Sequence, residues 1–199
     1  MQYCNYGFFV SINSVSKQKR YNFKLLINAI KMNFDNYKVI PNYKTNKTNL
    51  FLASEEETLA CEKTLNIAFD EDYKEYVLVY GSGILGGTYV RIFLPETIIL
   101  TLEEWRNRIT EYWFWDEGKE VLTKDQVLKS VRIGDTFDGD EIILYEGEYF
   151  VLPRYSEMIY KAGNTLEETI TWLCSSGILT EAFPEREFEP FDPSDLENN

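Results

Sequence analysis

The chain contains no histidine. That removes Ser-His and Cys-His nucleophile pairs, imidazole acid–base work and His-ligated metals. Its three cysteines, Cys4, Cys61 and Cys174, lie far apart with no C-x-x-C among them. Such a set offers no thiolate zinc motif and reads as reduced thiols of a cytoplasmic protein. No apolar run approaches the roughly 18 residues of a membrane span. The first basic cluster, Lys17, Lys19 and Arg20, follows the leading apolar stretch instead of preceding it, the reverse of a secretory signal. Chemistry, if any, is left to carboxylates, Lys, Tyr and backbone groups. Neither a cofactor nor a metal site is expected.

Positive charge is scarce too. Twenty Lys and Arg stand against 33 Asp and Glu, a net of −13, and the imbalance is uneven. Residues 1–50 hold eight bases and one acid, Asp35, so the remainder is strongly acidic. An acidic body repels nucleic-acid phosphates and favours cationic protein surfaces. What is present is bulk: 199 residues, 44% hydrophobic and 16% aromatic, enough for one sizeable core.

Alternation from Tyr6 to Ile12 predicts a leading strand, and Asn22 caps a helix with Phe23, Leu26, Ile27, Ile30 and Phe34 on one stripe. Ser54-Glu55-Glu56-Glu57 is a capping box. Asp70 reads as a second cap, with Tyr73, Tyr76, Val77 and Tyr80 at helical spacing behind it. Residues 81–87, GSGILGG, contain G-x-G-x-x-G. A nucleotide fingerprint needs strand, loop, then helix, so that a helix N-terminus meets the pyrophosphate. Here a helix precedes Gly81 and the strand-like TYVRIFLP follows. The run is therefore expected to be a turn, with Gly81 as a helix C′ residue.

Thr101-Leu102-Glu103-Glu104 reads as a further capping box, opening a helix with Trp105, Ile109 and Tyr112 inward. Val127, Lys129, Val131 and Ile133 alternate as a strand would. GDTFDGD (134–140) then turns into EIILY, and Glu146-Gly147 into EYFVLP, which is hairpin patterning. Thr165 caps a closing helix with Leu166, Ile170 and Leu173 inward, stopping at Gly177. These elements predict an α+β fold, a mostly antiparallel sheet flanked by helices. Residues 1–19 form an N-terminal extension, 20–180 a single domain and 181–199 an acidic, flexible tail.

The hairpin region carries Asp135, Asp138, Asp140, Glu141, Glu146 and Glu148 with no Lys or Arg between 134 and 150. These six are the candidate partner-binding residues: a negative patch that would steer a basic partner. The same turn fails as a calcium loop. With Gly139 sixth, the first position is Gly134 and the twelfth Tyr145, where acids are required. A carboxylate-only hydrolase needs two acids across one bond, and no spacing here singles out such a pair. Of Trp105, Trp113, Trp115 and Trp172, the first and last fall on or beside inward stripes. Trp113-Phe114-Trp115 cannot all face inward, leaving one as an interface anchor.

The stretch SEEETLACEKTLNIAFDEDYKEYVLVYGSGILGG resembles the opening signature of the SUKH superfamily, the Smi/Knr-type cell-wall regulators and their bacterial immunity relatives. A small polar cap precedes a helix with an internal Glu, Glu62. Leu65 leads to a short helix near Tyr73, and paired glycines close the run. IGDTFDGDEIILY and NTLEETITWL are similar to its Gly-Asp hairpin and closing helix. The likeness spans roughly residues 20–177 and departs at Ala68-Phe69, where the family usually has Leu-Pro. It implies an α+β domain that binds proteins and has no catalytic residues to carry over. The function so implied is immunity, a cytoplasmic protein that occludes a basic-surfaced toxin from a neighbouring bacterium. The alternative is a regulatory scaffold, and a histidine-free hydrolase stands third.

Overall fold

The computed structural model describes residues 37–86, 90–111, 115–182 and 186–193, all within the unit that begins at Phe34. The expected Tyr6–Ile12 strand, the Asn22 helix, Cys4, the cluster Lys17, Lys19 and Arg20, Tyr112, Trp113 and Phe114 lie outside the described residues. Among those described, the order is β1 (Lys38–Val39), α1 (Glu55–Leu65), α2 (Glu71–Val79), β2 (Gly83–Leu85), β3 (Arg91–Ile92) and α3 (Pro95–Glu111). There follow α4 (Lys124–Lys129), β4 (Val131–Asp135), β5 (Glu141–Tyr145), β6 (Glu148–Leu152), β7 (Tyr160–Gly163), α5 (Leu166–Ser175) and β8 (Glu187–Pro190). Strands β3 to β7 make one antiparallel sheet in sequential order, and β1, β8 and β2 make a second. This is the expected α+β architecture.

Local chemistry sets the helix ends. Ser54 and Glu57 close the expected box: the Ser54 amide donates to Glu57 Oε2 at 2.6 Å and the Glu57 amide to Ser54 Oγ at 3.2 Å. The Ser54 amide and hydroxyl, both donating to Oε2, hold the Glu57 carboxyl below its ordinary pKa. Asp70 caps α2, which buries Tyr73, Tyr76 and Val77 completely. The helix stops as expected at Gly81, whose φ of 73° an L side chain rarely adopts. The rest of the run is not the turn expected, because Gly83–Leu85, inside GSGILGG, pair with β8 as the strand β2.

The hairpin grammar is realised. Glu146 and Gly147, at φ 49° and 80°, form the tight turn that matches strand twist. Register places Glu141 opposite Leu152 and Ile143 opposite Phe150. Ile143, Phe150 and Leu152 pack with Leu102, Trp105 and Ile109 of α3 and Val127 of α4. The intervening Ile142, Leu144, Tyr149 and Val151 are also buried, so the period of two puts a second covered face behind them. Burial on both faces explains why EIILY and EYFVL are nearly continuous apolar runs.

Three further local expectations fail. Thr101 does not open a helix: α3 begins at Pro95, where proline's fixed φ and missing N–H suit the first turn. The Thr101 hydroxyl instead donates to the Thr97 carbonyl at 2.9 Å. Residues 127–129 are helical, because Thr123 and Gln126 form a capping box and open α4. The tail is not simply flexible either, since β8 is the central strand of its sheet, parallel to β1 and antiparallel to β2.

Phe188 holds that strand. It is 0% exposed and meets Tyr80 and Tyr76 edge-on at centroid distances of 5.3 and 6.1 Å. Its Cζ lies 2.2 Å from where a Cβ on Gly83 would stand, so Gly83 is small to admit the ring. Gly83→Ala is therefore expected to destabilise by about 1–3 kcal/mol through overpacking. Pairing it with Phe188→Leu should recover part of the loss in urea unfolding. An unchanged midpoint for Gly83→Ala would show that β8 is not seated on β2.

Candidate interaction surface

The six acids of the hairpin region do not share one face. Asp135 is buried, and both its oxygens accept from Arg91, Nε and Nη2 each at 2.7 Å. Glu141, its cross-strand neighbour, is also buried. It accepts from Trp105 Nε1 at 2.8 Å and from Arg108, with Arg132 Nη1 at 3.7 Å. Burial pulls the Arg132 pKa down, and Glu141 and Asp135 push back. Glu148 pairs with Lys161. Of the six, only Asp138 and Glu146 are exposed and in no ion pair among the described residues, and they sit at opposite ends of β5. The charge that sequence assigns to a partner is largely answered inside the fold.

Asp140 has a different role from the one expected. Its Oδ2 accepts from the Thr136 hydroxyl at 2.8 Å, and its Oδ1 from the Arg154 amide at 2.9 Å. The Thr136 amide donates to the Asp140 carbonyl and the Gly139 amide to the Thr136 carbonyl, each at 2.9 Å. One buried carboxylate thus ties the β4–β5 turn to the residues leaving β6. Those two turns lie at the same end of the antiparallel sheet. What they hold outward is aromatic: Phe137 is 75% and Tyr155 81% exposed, with the Arg154 guanidinium 5.5 Å from the Tyr155 ring centre. Tyr, Phe and Arg on rigid turns contribute area at low entropic cost, the usual make-up of interface anchors. Sequence reasoning weighed the acids of GDTFDGD and passed over its phenylalanine. An aromatic between Thr136 and Asp138 at the tip of a tight turn has no route to the core, which is the available signal.

The tryptophans divide as geometry dictates. Trp105 is inward, as expected. Trp115 is half-buried with its Nε1 donating to the Pro153 carbonyl at 2.7 Å, so it braces the same turn from below. Trp172 lies 5.5 Å from Tyr160, ring to ring.

A second set of carboxyls gathers where two helices begin. Asp70 Oδ1 accepts from the amides of Asp72, Tyr73 and Leu166 at 3.1, 3.3 and 3.2 Å. Its Oδ2 accepts from the Tyr149 hydroxyl, and Asp72 Oδ2 accepts from the Glu167 amide at 3.3 Å. Burial raises the Asp70 pKa, opposed by these donors. Glu167 is raised likewise, by burial and then by Asp72 and Glu168. Asp70 is a shared cap for α2 and α5, fully engaged with the fold. Among the described residues no group of three or more Cys, Asp or Glu could hold a metal ion, and no helix is long and apolar enough to cross a membrane.

Comparison with curated proteins finds no match. Residues 52–172 match a family, and they run from just before α1 into α5; β1 and β8 lie outside that span. Two capped helices, a glycine corner, an antiparallel sheet and a closing helix thus coincide with more than half of the chain, and the chain belongs to the SMI1 / KNR4 family (SUKH-1).

Proposed function

We propose that the protein is a binding module that works without turnover, an immunity protein that neutralises a protein toxin by covering its working surface. The observation that carries this reading is the pre-organised turn pair. A buried carboxylate and a tryptophan indole are spent on fixing two loops whose exposed residues include Phe137, Asp138 and Tyr155. Rigid exposed aromatics favour association, because little freedom is left to lose on binding. Family membership supports a domain of the type that resembles bacterial immunity proteins.

The test is calorimetric titration against the product of the gene adjacent to this one. Phe137→Ala and Tyr155→Ala should each weaken binding by roughly tenfold or more, as central aromatic anchors do. Their stability should stay within about 0.5 kcal/mol of wild type, because both side chains face solvent. Asp138→Lys should act mainly on association rate and salt dependence. If the adjacent product binds and all three variants match wild type, the turn pair is not the contact. If it does not bind at all, the immunity reading fails and the regulatory-scaffold reading takes its place.

A further inference from the structure

The outer face of α3 differs in kind from the turn pair. Glu96, Leu100, Glu103, Asn107 and Glu111 recur at intervals of three or four residues and are all exposed, so they form one stripe along a helix about 25 Å long. Leu100 is 65% exposed, with Ile99 beside it at 39%. Helical spacing places Glu96 one turn before Leu100 and Glu103 and Glu104 one turn after it. An apolar knob is therefore rimmed by three carboxylates.

The cations of the same helix do not answer that charge. Arg108 is spent on Glu141, and Arg106 Nη2 donates to the Ser130 carbonyl at 3.2 Å. Among the described residues Glu96, Glu103, Glu104 and Glu111 have no ion pair. Some acids elsewhere are answered, Asp135 by Arg91, Glu148 by Lys161, Glu187 by Lys38 and Glu62 by Lys74, whereas along α3 four successive exposed glutamates are not. An apolar centre inside an uncompensated acidic rim is the complement of an apolar stripe flanked by lysines or arginines.

We propose that the Glu96–Glu111 stripe, centred on Leu100, is a docking surface for a basic amphipathic helix of a protein partner. Helix laid on helix buries the knob, while the flanking cations meet the three glutamates. This surface does not depend on Phe137 or Tyr155, so it stands or falls separately from the turn pair.

The probe is a labelled helical peptide of roughly 20 residues, leucines on one face and lysines flanking them, titrated into the full chain by fluorescence anisotropy. Tight, salt-weakened binding is expected. Glu103→Lys with Glu104→Lys should raise Kd about tenfold or more, and Leu100→Ser several-fold. Glu117→Lys with Glu120→Lys, an exposed pair that changes net charge by the same amount, should change Kd less than about twofold. Phe137→Ala should leave peptide binding unaltered. Melting temperatures of all variants confirm that they fold. Equal losses in the two double variants would mean bulk charge alone and overturn the proposal, as would no binding or an unaffected Leu100→Ser.

Discussion

Asp70→Ala is expected to lower the unfolding free energy by about 3–4 kcal/mol, while Asp70→Asn loses well under half of that. The size follows from what one carboxylate holds. Two amides of α2's first turn and the first amide of α5 all donate to Oδ1. Losing its N-cap costs α2 roughly 0.5–2 kcal/mol, and α5, whose own cap Thr165 stays in place, loses the acceptor of its first amide. The Tyr149 hydroxyl, on a side chain 0% exposed, would be left without its acceptor, a further cost of about 1–3 kcal/mol. Asparagine keeps Oδ1 and so keeps the acceptor of all three amides. Urea unfolding followed by tyrosine and tryptophan fluorescence measures both variants. A loss below about 1 kcal/mol for Asp70→Ala would show that α5 is not capped across the fold.

The same pair of variants gives a pH signature. Burial raises the Asp70 pKa above its ordinary value, so the native chain holds this proton more tightly than the unfolded chain does. Its contribution is then complete below the unfolded pKa and declines as pH rises through the folded one. Other groups shift the opposite way, Glu57 among them, so the raw curve mixes signs. The stability difference between wild type and Asp70→Asn isolates the one carboxyl. It should favour wild type most at low pH and shrink as pH rises through the acid range. A difference that grows with pH would mean the four donors outweigh burial.

What could be read from the sequence was whatever is decided within a few residues. Ser54, Asp70 and Thr165 were legible as caps because each bonds an amide two or three positions on. Gly81 was legible because positive φ is a local demand. The same locality misleads at Thr101: a T-x-x-E string inside a helix looks like a box, and its hydroxyl simply returns to the preceding turn. Pro95 was the better signal, and missing it hid the turn that carries Glu96, Ile99 and Leu100. Strand β8 was illegible for the opposite reason. Residues 184–193 hold three of the six prolines, and what makes 187–190 a strand is pairing with β1 and β2, both at least 100 residues earlier. The candidate site shows the same divide. That 134–148 turns and is acidic was plain, but the partners of its acids are remote: Arg91 is 44 residues from Asp135, Trp105 36 from Glu141 and Arg154 14 from Asp140. Charge that reads as surface in one dimension is answered in three.

Glu141 makes that reversal measurable. Glu141→Leu is expected to destabilise by about 3–5 kcal/mol, the range for removing one member of a buried charge set. Glu141 is 6% exposed and accepts from the Trp105 indole and from Arg108, with Arg132 close by. Removing it leaves Arg132, whose pKa burial already lowers, with Asp135 as its remaining opposite charge. The indole N–H, inside the core cluster of Trp105, Ile143 and Leu152, would lose its acceptor as well. At about 2–4 °C per kcal/mol for a chain of this size, the melting temperature should fall by roughly 10 °C. Adding Arg132→Met should return a good part of the loss, because an apolar pair of similar volume replaces the desolvated charges. Arg132→Met alone should cost less than Glu141→Leu, since Arg108 still answers the carboxylate. Were Glu141 a partner contact as its sequence context suggests, substitution would weaken binding at unchanged stability. A melting temperature within a degree or two of wild type would restore it to the surface and undo the internal ion cluster.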